Sequence, residues 1–487
     1  EGFVTPSGRL ELGSFGSEVV ALQNKLNSRG FNCGRNDGVF DIATRDAVSA
    51  YQISAGLTAD GVAGAQTLAD FPLKDGDVWV MAGDSITAQY LHSNYFEAFC
   101  FARYPQLKFA FRNSGVGGHT IPSTLARFDY DIAAWKPTVV SVELGMNDQG
   151  GTPTEKFVAN MGVLVERIRA INARPVIFSA SPMNNGSTLS RLGRNQRLHE
   201  YAVALRTFTA SEKLPYADQF HALLDIWGNN KPKELLANSL PVLHELAADD
   251  SLLGAEHLRA FLAAQETSPT RPVSMQGDAV HPGPPGQLMM ATALLKQLGA
   301  DGFVSSVTLD ARGTLREAKG CEVDKIEAAE GKIAFDRLDQ RLPLPVPDEA
   351  RAVVPFYPVI LELSQYTLRV TGLAKGAYTL KINGAVAAAV TAEQLEAGVN
   401  LTALDAPPQA KQINPIAAQG RAILAAVAAK ESLVSQWRGL SKARAESATA
   451  ELEEKLTALG QEIERADARI REAARPQKLH FELAAAP

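Results

Sequence analysis

The alternation of short apolar runs with longer amphipathic stretches between residues 77 and 218 constrains the fold more than any other feature of this sequence. The pattern predicts strands at 77–82, 107–112, 138–144, 175–180 and 215–218, and helices at 88–103, 155–172 and 195–213. Such alternation favours a parallel sheet flanked by helices. In sheets of this class a functional site lies at the carboxyl ends of the strands.

Chemically useful residues follow these predicted strands. Ser85 lies beside a glycine in the stretch Ala82–Thr87, at a strand-to-helix turn that exposes its hydroxyl group, although the Gly-x-Ser-x-Gly form of a nucleophile elbow is missing. Gly118 lies in a glycine-rich turn after the second strand, and Asn147 follows the third. We therefore expect these three residues to converge at one edge of the sheet.

The residue types then suggest roles. A serine is a poor nucleophile at neutral pH and needs an adjacent base, for which His281 is the candidate. Asp278 lies three residues earlier, so one loop can deliver both groups, and its carboxylate would orient the imidazole. The backbone amides of Ser85 and Gly118 and the side-chain amide of Asn147 fit as donors to an oxyanion.

Four blocks in this order resemble the SGNH (GDSL-type) hydrolase superfamily: Gly-Asp-Ser, the glycine-rich turn, Gly-x-Asn-Asp and Asp-x-x-His. The resemblance covers roughly residues 75–300 and implies a three-layer, flavodoxin-like α/β core with the triad Ser85, Asp278 and His281. It also implies that Ser85, Gly118 and Asn147 are the three oxyanion donors. Asp84 and Asp148 are expected to hold turns by hydrogen bonds, and His119 is a further candidate for contact with substrate.

The N-terminal segment reads as a separate helical module. Amphipathic stretches alternate with turns such as Asp37-Gly38-Val39-Phe40 and Asp60-Gly61, and a short third helix is expected near Thr67. The pattern resembles the peptidoglycan-binding domain type 1 family, except that Asp41 stands where that family usually has glycine. The resemblance implies binding of wall glycan or stem peptide through residues 1–72; the alternative is a module that only packs on its neighbour.

The chain after the N-terminal module divides into the hydrolase domain and two accessory regions. We predict a hydrolase domain at 73–300 with a helical insertion at 228–270, which either covers the pocket or merely decorates it. A β-rich region is expected at 301–410, where two strand-like runs near 366–370 and 378–382 suggest a meander or a piece of sandwich. Residues 411–487 are predicted to be helical, with a bend near Trp437 and Gly439.

A heptad stripe marks the last predicted helix and leaves two interpretations open, a hairpin packed on its own chain or a homo-oligomer interface. Its members are Leu452, Leu456, Leu459, Ile463, Ala466 and Ile470.

Composition argues against some classes of partner and leaves the cellular compartment open. The 487 residues carry a net charge of −6 without a basic cluster, which argues against nucleic acid or an anionic membrane. The sequence contains no apolar run of about 18 residues, the length that a membrane-spanning helix needs. The chain opens without methionine or a signal peptide, and Cys33, Cys100 and Cys321 allow one disulfide or three free thiols. No spacing suggests a metal site, and we expect no metal and no cofactor.

These observations lead to one function and two rivals. The expected protein is a secreted, periplasmic or cell-envelope bacterial serine esterase that removes O-acetyl groups from peptidoglycan or another polysaccharide. A second enzymatic interpretation is a broad carboxylesterase or lysophospholipase acting on small or lipid esters. An interpretation of another class is a non-catalytic scaffold bound to the wall.

Overall fold

The computed structural model describes residues 9–28, 31–54, 59–64, 71–183, 193–229, 242–249, 251, 259, 262, 277–329, 331–404 and 414–486. Its centre is a five-stranded sheet in the order β2-β1-β3-β4-β5, in which every neighbouring pair is parallel. The strands are β1 Asp77–Gly83, β2 Phe109–Gly115, β3 Val139–Glu143, β4 Arg174–Phe178 and β5 Tyr216–Ala217. The predicted parallel sheet is confirmed, although β2 continues through Gly115 into the stretch predicted as a turn.

Helices cover both faces of this sheet, because its strands are apolar on both sides. In chain order they are α3 His92–Arg103, α4 Ile121–Ala126, α5 Phe128–Asp131, α6 Thr154–Ala170, α7 Gln196–Ser211, α8 Gln219–Asn229 and α9 Pro284–Gln297. One core holds α3 and α9 against Trp79 and Phe111, and the other holds α4 to α7 against Val80 and Val142. The result is the three-layer architecture expected from the sequence.

The N-terminal module contains α1 Ser17–Ser28 and α2 Ile42–Ser54. Each helix carries a buried glutamine that closes a turn. Gln23 accepts from Gly38 N at 2.9 Å and donates to Val39 O at 2.9 Å, while Gln52 does the same with Gly61 N and Val62 O. This repeated clamp explains the Asp-Gly turns of the sequence; the third helix predicted near Thr67 lies outside the described residues.

A β-sandwich follows the hydrolase core. One sheet has the order β13-β10-β6-β7 and the other β12-β11-β14-β9-β8, and side chains of both share a single apolar core. The strands are β6 Phe303–Asp310, β7 Leu315–Lys319, β8 Cys321–Ala329, β9 Lys332–Asp339, β10 Gln365–Thr371, β11 Ala377–Ile382, β12 Ala385–Thr391, β13 Val399–Asn400 and β14 Lys478–Ala485. Short helices α10 Val359–Glu362 and α11 Ala392–Ala397 connect them.

The two runs that suggested a meander belong to different sheets, so β10 and β11 form the sandwich that was the other interpretation. β10 pairs in parallel with β6, whereas β11 forms an antiparallel hairpin with β12 across Asn383 and Gly384. Asn383 and Gly384 form the turn of this hairpin, and of the two interpretations the meander was wrong.

Two long helices, α12 Pro415–Glu446 and α13 Ala450–Ala473, form an antiparallel hairpin against the core. The bend predicted near Trp437 and Gly439 is wrong, because α12 continues through both residues while the Trp437 ring packs on Trp135 at 3.8 Å between centroids. Of the heptad stripe, Leu456, Ile463, Ala466 and Ile470 are buried within the chain.

Strand β14 returns the chain to the sandwich, so the region predicted as helical from 411 to 487 ends in a strand. The insertion at 228–270 lies mostly outside the described residues, apart from a helical stretch at 242–248. All three cysteines are buried free thiols. Within the described ranges, no helix is long and apolar enough to cross a membrane.

Candidate active site

Ser85 lies directly past the end of β1, where the chain turns toward α3. A short 3₁₀ turn, Thr87–Gln89, follows, and Tyr90 adopts a left-handed φ of 58° before α3 begins. The predicted helix at 88–103 is therefore two elements separated by a kink. Asp84 holds this turn by accepting a hydrogen bond from Ile86 N at 2.9 Å, the scaffold role expected for it.

Asp278 and His281 reach Ser85 from a single loop ahead of α9. His281 Nε2 lies 2.8 Å from Ser85 Oγ, and His281 Nδ1 lies 3.0 Å from Asp278 Oδ2. Asp278 also accepts hydrogen bonds from Val280 N and His281 N, both at 2.7 Å, so the carboxylate fixes the loop that carries the imidazole. The structure brings together the three residues predicted as a triad.

Gly277 permits this tight loop. Its φ is +98°, and a Cβ atom there would lie 2.1 Å from His281 O, so a side chain at this position would push the histidine loop away. From the other side, Gln287 donates to Pro282 O at 3.3 Å. The loop is thus held by backbone geometry as well as by Asp278.

The glycine loop after β2 lies beside the nucleophile. A Cβ on Gly117 would come 3.9 Å from Ser85 Cβ, and Gly118, with φ +75°, faces open space. Within the described residues the amides of Ser85 and Gly118 donate no hydrogen bond. Asn147 Nδ2 donates one hydrogen to His119 O at 3.0 Å, which leaves its second hydrogen for another acceptor.

The pKa values of Asp84 and Asp278, the aspartates next to Ser85 and His281, are shifted in opposite directions. Hydrogen bonds from His281 and Val280 lower the pKa of Asp278 to about 2, so it is a carboxylate at any ordinary pH. Burial raises the pKa of Asp84 to about 7, with the nearby Glu143 adding to the effect. Although burial opposes its charge, contact with Glu143 raises the pKa of His92.

The second aspartate of the Gly-x-Asn-Asp block also has a supporting position. Asp148 is buried and accepts a hydrogen bond from Ile121 N at 3.2 Å, and burial raises its pKa. It thereby joins the end of β3 to the start of α4, as expected of a residue that holds a turn.

A cleft of about 580 Å³ opens beside Asn147 and Val280. Most of its lining is polar: Gln149, Arg194, Gln196, Arg197 and Glu200. Among the described residues that line the cleft, the apolar side chains are Met146, Met183 and Val280. Arg197 pairs with Glu200 at 3.1 Å, so part of the positive charge in the cleft is neutralised.

Sequence reasoning missed a buried ionic cluster behind the glycine loop. Arg127 donates from Nε to His119 Nδ1 at 3.1 Å, and it also forms an ion pair with Asp131. Burial and the neighbouring Arg127 lower the pKa of His119. The four-residue spacing of Arg127 and Asp131 on neighbouring turns was a visible signal for the pair, but nothing in the sequence connected it to the glycine loop.

Two family models match this chain. The GDSL-like Lipase/Acylhydrolase family matches residues 81–287, and the putative peptidoglycan binding domain matches residues 15–69. The first match spans Ser85, Gly118, Asn147, Asp278 and His281.

Individual relatives agree with this division. The acetylxylan esterase of Geobacillus stearothermophilus is 23% identical over 198 residues, which are 41% of this chain and 76% of that protein. The N-acetylmuramoyl-L-alanine amidase CwlM of Mycobacterium tuberculosis is 43% identical over 54 residues, 11% of this chain and 13% of that protein.

A solved structure shares most of the fold. A gut microbial diltiazem-metabolizing enzyme superposes with a TM-score of 0.61 at 21% identity, covering 86% of this chain and 99% of its own. Residues 81–287 thus form the GDSL-like lipase/acylhydrolase domain of an ester-hydrolysing enzyme, which carries a putative peptidoglycan-binding domain at residues 15–69.

Proposed function

We propose that this protein is a serine esterase that removes O-acetyl groups from peptidoglycan or another polysaccharide through an acyl-enzyme intermediate. The observation that carries the proposal is the continuous line of hydrogen bonds from Ser85 Oγ through the His281 imidazole to the Asp278 carboxylate. A serine so placed is activated by its base, and the base is oriented by a carboxylate that stays ionised.

In the first half of the reaction Ser85 Oγ attacks the ester carbonyl carbon and its proton passes to His281 Nε2. The negative charge that develops on the carbonyl oxygen is stabilised by the amides of Ser85 and Gly118 and by the free hydrogen of Asn147 Nδ2. Asp278 stabilises the imidazolium. The tetrahedral intermediate then collapses, the bond to the alcohol oxygen breaks, and His281 Nε2 returns the proton to that oxygen.

In the second half a water molecule takes the place of the alcohol. His281 removes its proton while the oxygen attacks the acyl-enzyme carbonyl. The same donors stabilise the second oxyanion. Collapse breaks the bond to Ser85 Oγ, which recovers its proton from His281, and the carboxylic acid leaves.

The cleft favours a short acyl group on a polar alcohol. Among its described lining residues only three side chains are apolar, which suits a methyl group better than a long acyl chain. Its remaining lining offers charged and amide groups that match the hydroxyl groups of a sugar. The similarity to an acetylxylan esterase of Geobacillus stearothermophilus supports the same substrate class. These points favour acetylated glycan over a lipid ester.

The N-terminal module supports the wall as the place of action. Residues 15–69 match a putative peptidoglycan binding domain, and the similarity to an N-acetylmuramoyl-L-alanine amidase points in the same direction. We place the protein outside the bacterial cytoplasm, in the cell envelope or secreted, with residues 1–72 holding it on the glycan.

The test measures acetate released from acetylated peptidoglycan, acetylated xylan and aryl esters of increasing chain length. Wild type should release acetate from a glycan and lose activity as the acyl chain lengthens. Ser85→Ala should abolish release, while the control Ser211→Ala, an exposed serine on α7 whose hydroxyl donates to Phe208 O at 2.7 Å, should leave it unchanged.

Three results would decide against the proposal. Activity retained by Ser85→Ala would remove the nucleophile. Cleavage of long-chain esters without acetate release from any glycan would mean that the substrate is a lipid or small ester instead of an acetylated glycan. Complete absence of turnover by wild type with retained binding to sacculi would favour a scaffold.

A further inference from the structure

The C-terminal helical hairpin reaches the glycine loop of the active site through one arginine. Arg438 on α12 donates from Nη2 to Gly115 O at 3.1 Å and to Asp131 Oδ2 at 2.8 Å. The Arg438 side chain is 12% exposed and that of Asp131 is 3% exposed, so this contact is buried. A residue more than 300 positions away in the sequence thus contacts the last residue of β2, directly before the loop that carries Gly118.

Further polar contacts link Asp131 to the chain on both sides of Ser85. Asp131 is also the partner of Arg127, and Arg127 donates to His119 Nδ1 at 3.1 Å and to Gly83 O at 3.4 Å. Gly83 lies two residues before Ser85, and His119 lies directly after Gly118. One cluster of alternating charges therefore supports the strand end before the nucleophile and the loop opposite it.

The glycine loop has few means of holding its own position. Gly117 and Gly118 are exposed and have no side chains, so the loop is fixed by one internal hydrogen bond, from His119 N to Val116 O at 3.3 Å, and by contacts at its ends. At one end these contacts are Val116 N to Gly83 O at 3.1 Å and Arg438 to Gly115 O. At the other end, His119 is held by Arg127 and by Asn147.

Oxyanion donors act only when they are held within about 0.5 Å of the productive geometry. We infer that Arg438 is a positioning residue for the oxyanion loop, so that the helical hairpin completes the active site rather than only adding stability. This inference rests on the proposed function, because it requires Gly118 to stabilise an oxyanion formed by attack of Ser85.

The same hairpin offers a matched control. Asp467 on α13 forms a buried ion pair with Arg112 of β2 at 2.7 Å, with side chains 5% and 8% exposed. This pair joins hairpin to core as Arg438 does, but its side chains do not contact residues 115–119 in the described structure. Loss of either pair removes a buried ionic contact, and only loss of Arg438 releases the loop.

The experiment compares Arg438→Met, Arg438→Lys and Asp467→Asn in the full chain with a soluble aryl acetate. We expect Arg438→Met to lower kcat by about 10- to 100-fold with KM changed by less than about threefold, because misplaced donors weaken the transition state more than the ground state. Arg438→Lys should recover part of the loss, since an ammonium reaches one of the two acceptors. Asp467→Asn should lower the melting temperature and leave kcat within about twofold.

A second measurement separates positioning from stability. A methylboronic acid adduct of Ser85 is a tetrahedral boronate anion with a hydroxyl oxygen at the oxyanion position, so its inhibition constant should rise in Arg438→Met by roughly the factor lost in kcat. The constant should stay unchanged in Asp467→Asn. If Arg438→Met is too unstable to purify, the same comparison is made with Arg438→Lys, which retains the charge.

The inference is overturned if the Arg438 variants keep wild-type kcat and boronate affinity, or if they lose kcat while boronate affinity is unchanged. Failure of the proposed function gives a different pattern, because Ser85→Ala would then be as active as wild type. Ser85→Ala inactive with Arg438→Met and Arg438→Lys fully active would contradict the inference alone.

Discussion

At the scale of single residues, three carboxyl groups near Ser85 have different tasks because their surroundings differ. Asp278 is exposed and ionised, with a pKa of about 2, and it orients His281. Asp84 is buried beside the nucleophile with a pKa of about 7, and Glu143 forms an ion pair with the buried His92 at 2.9 Å. Burial, rather than sequence distance from Ser85, separates the catalytic carboxylate from the supporting ones.

The raised pKa of Asp84 predicts a stability effect that depends on pH. A carboxyl group whose pKa is higher in the folded state than in the unfolded state binds more protons when folded, so its contribution to stability is lost as pH rises from about 4 through 7. Asp84→Asn keeps the acceptor for Ile86 N and carries no charge. We expect the variant to be more stable than wild type at pH 8 by at most about 4 kcal/mol, and this advantage to fall to less than half of that value at pH 5, where the folded protein keeps Asp84 protonated.

Melting temperatures of both proteins at pH 5 and pH 8 check this prediction. Every other titrating group is common to the two proteins, so the change in their difference isolates Asp84. A difference that is equal at both pH values would mean that Asp84 titrates normally.

Exposure of Asp278 predicts a moderate catalytic role. The Asp278 side chain is 66% exposed, so in a variant without this carboxylate water can partly stabilise the His281 imidazolium in its place. We expect Asp278→Ala to lower kcat by about 10- to 100-fold, less than the roughly 10⁴-fold loss known for a triad aspartate in its buried setting. Steady-state rates measure this loss, and Ser85→Ala provides the lower limit.

The pH dependence of the wild-type rate follows from the same groups. The rate should rise between about pH 5 and pH 8 as a histidine loses its proton, and Asp84, whose pKa is about 7, loses its proton in the same range. Asp278 adds no second rise in that range because its pKa is about 2. A rate that does not change from pH 5 to pH 8 would contradict a histidine base.

The convergence of Ser85, Asp278 and His281 was predictable because each lies in a local motif at the end of a strand or ahead of a helix. Ser85 and His281 are 196 residues apart, yet the topology of a parallel sheet brings strand ends together wherever they fall in the chain. Arg438 offered no such signal. It stands in a helix that has many charged residues, and only tertiary packing distinguishes it from its neighbours.

At the scale of elements, the end of β2 fits against the turn after Ser85 without spare room. A Cβ atom on Gly115 would lie 2.5 Å from Ala88 N and 2.7 Å from Thr87 C, which are backbone atoms that cannot move aside alone. Gly115→Ala should therefore displace the strand end or the nucleophile turn. We expect a cost of about 1–3 kcal/mol in stability together with a lower kcat.

The control for this substitution is Gly151→Ala. Gly151 has an extended φ of −164° and no atom within 4 Å of a Cβ. Thermal melting and aryl acetate turnover of the two variants should differ clearly. Equal behaviour would mean that the contact between β2 and the nucleophile turn is not tight.

The positions of the helices and strands could be predicted from the sequence, whereas the pairing of strands could not. The hairpin of β11 and β12 was visible in Asn383-Gly384, because that dipeptide favours the left-handed turn it adopts. The parallel pairing of β10 with β6 depends on segments about 60 residues apart, which leave no local pattern. Gly439 suggested a bend, but the packing of Trp437 on Trp135 keeps α12 straight.

At the scale of the whole molecule, the hydrolase core and the C-terminal third are packed as one body. Buried ion pairs from Lys430 to Glu97 and from Arg112 to Asp467 fasten the hairpin to the core. Phe71 stacks on Tyr104 with centroids 5.3 Å apart and so belongs to the core side of the junction.

This division predicts the outcome of removing the module. A chain that begins at Phe71 should keep kcat for a soluble aryl acetate within about twofold, because the site and its supports lie beyond that residue. Its co-sedimentation with purified sacculi should fall, and acetate release from sacculi should fall with it. Undiminished sedimentation would show that residues 1–70 do not hold the protein on the wall.

The position of β14 has a consequence for how the chain is made. This strand comes after every other element in chain order, yet it lies between β9 and β11 in the middle of its sheet. A ribosome must therefore deliver the hairpin that carries Arg438 before the two halves of the sheet can meet. A copy that stops before β14 exposes two unpaired strand edges, on β9 and β11, which invite aggregation and proteolysis.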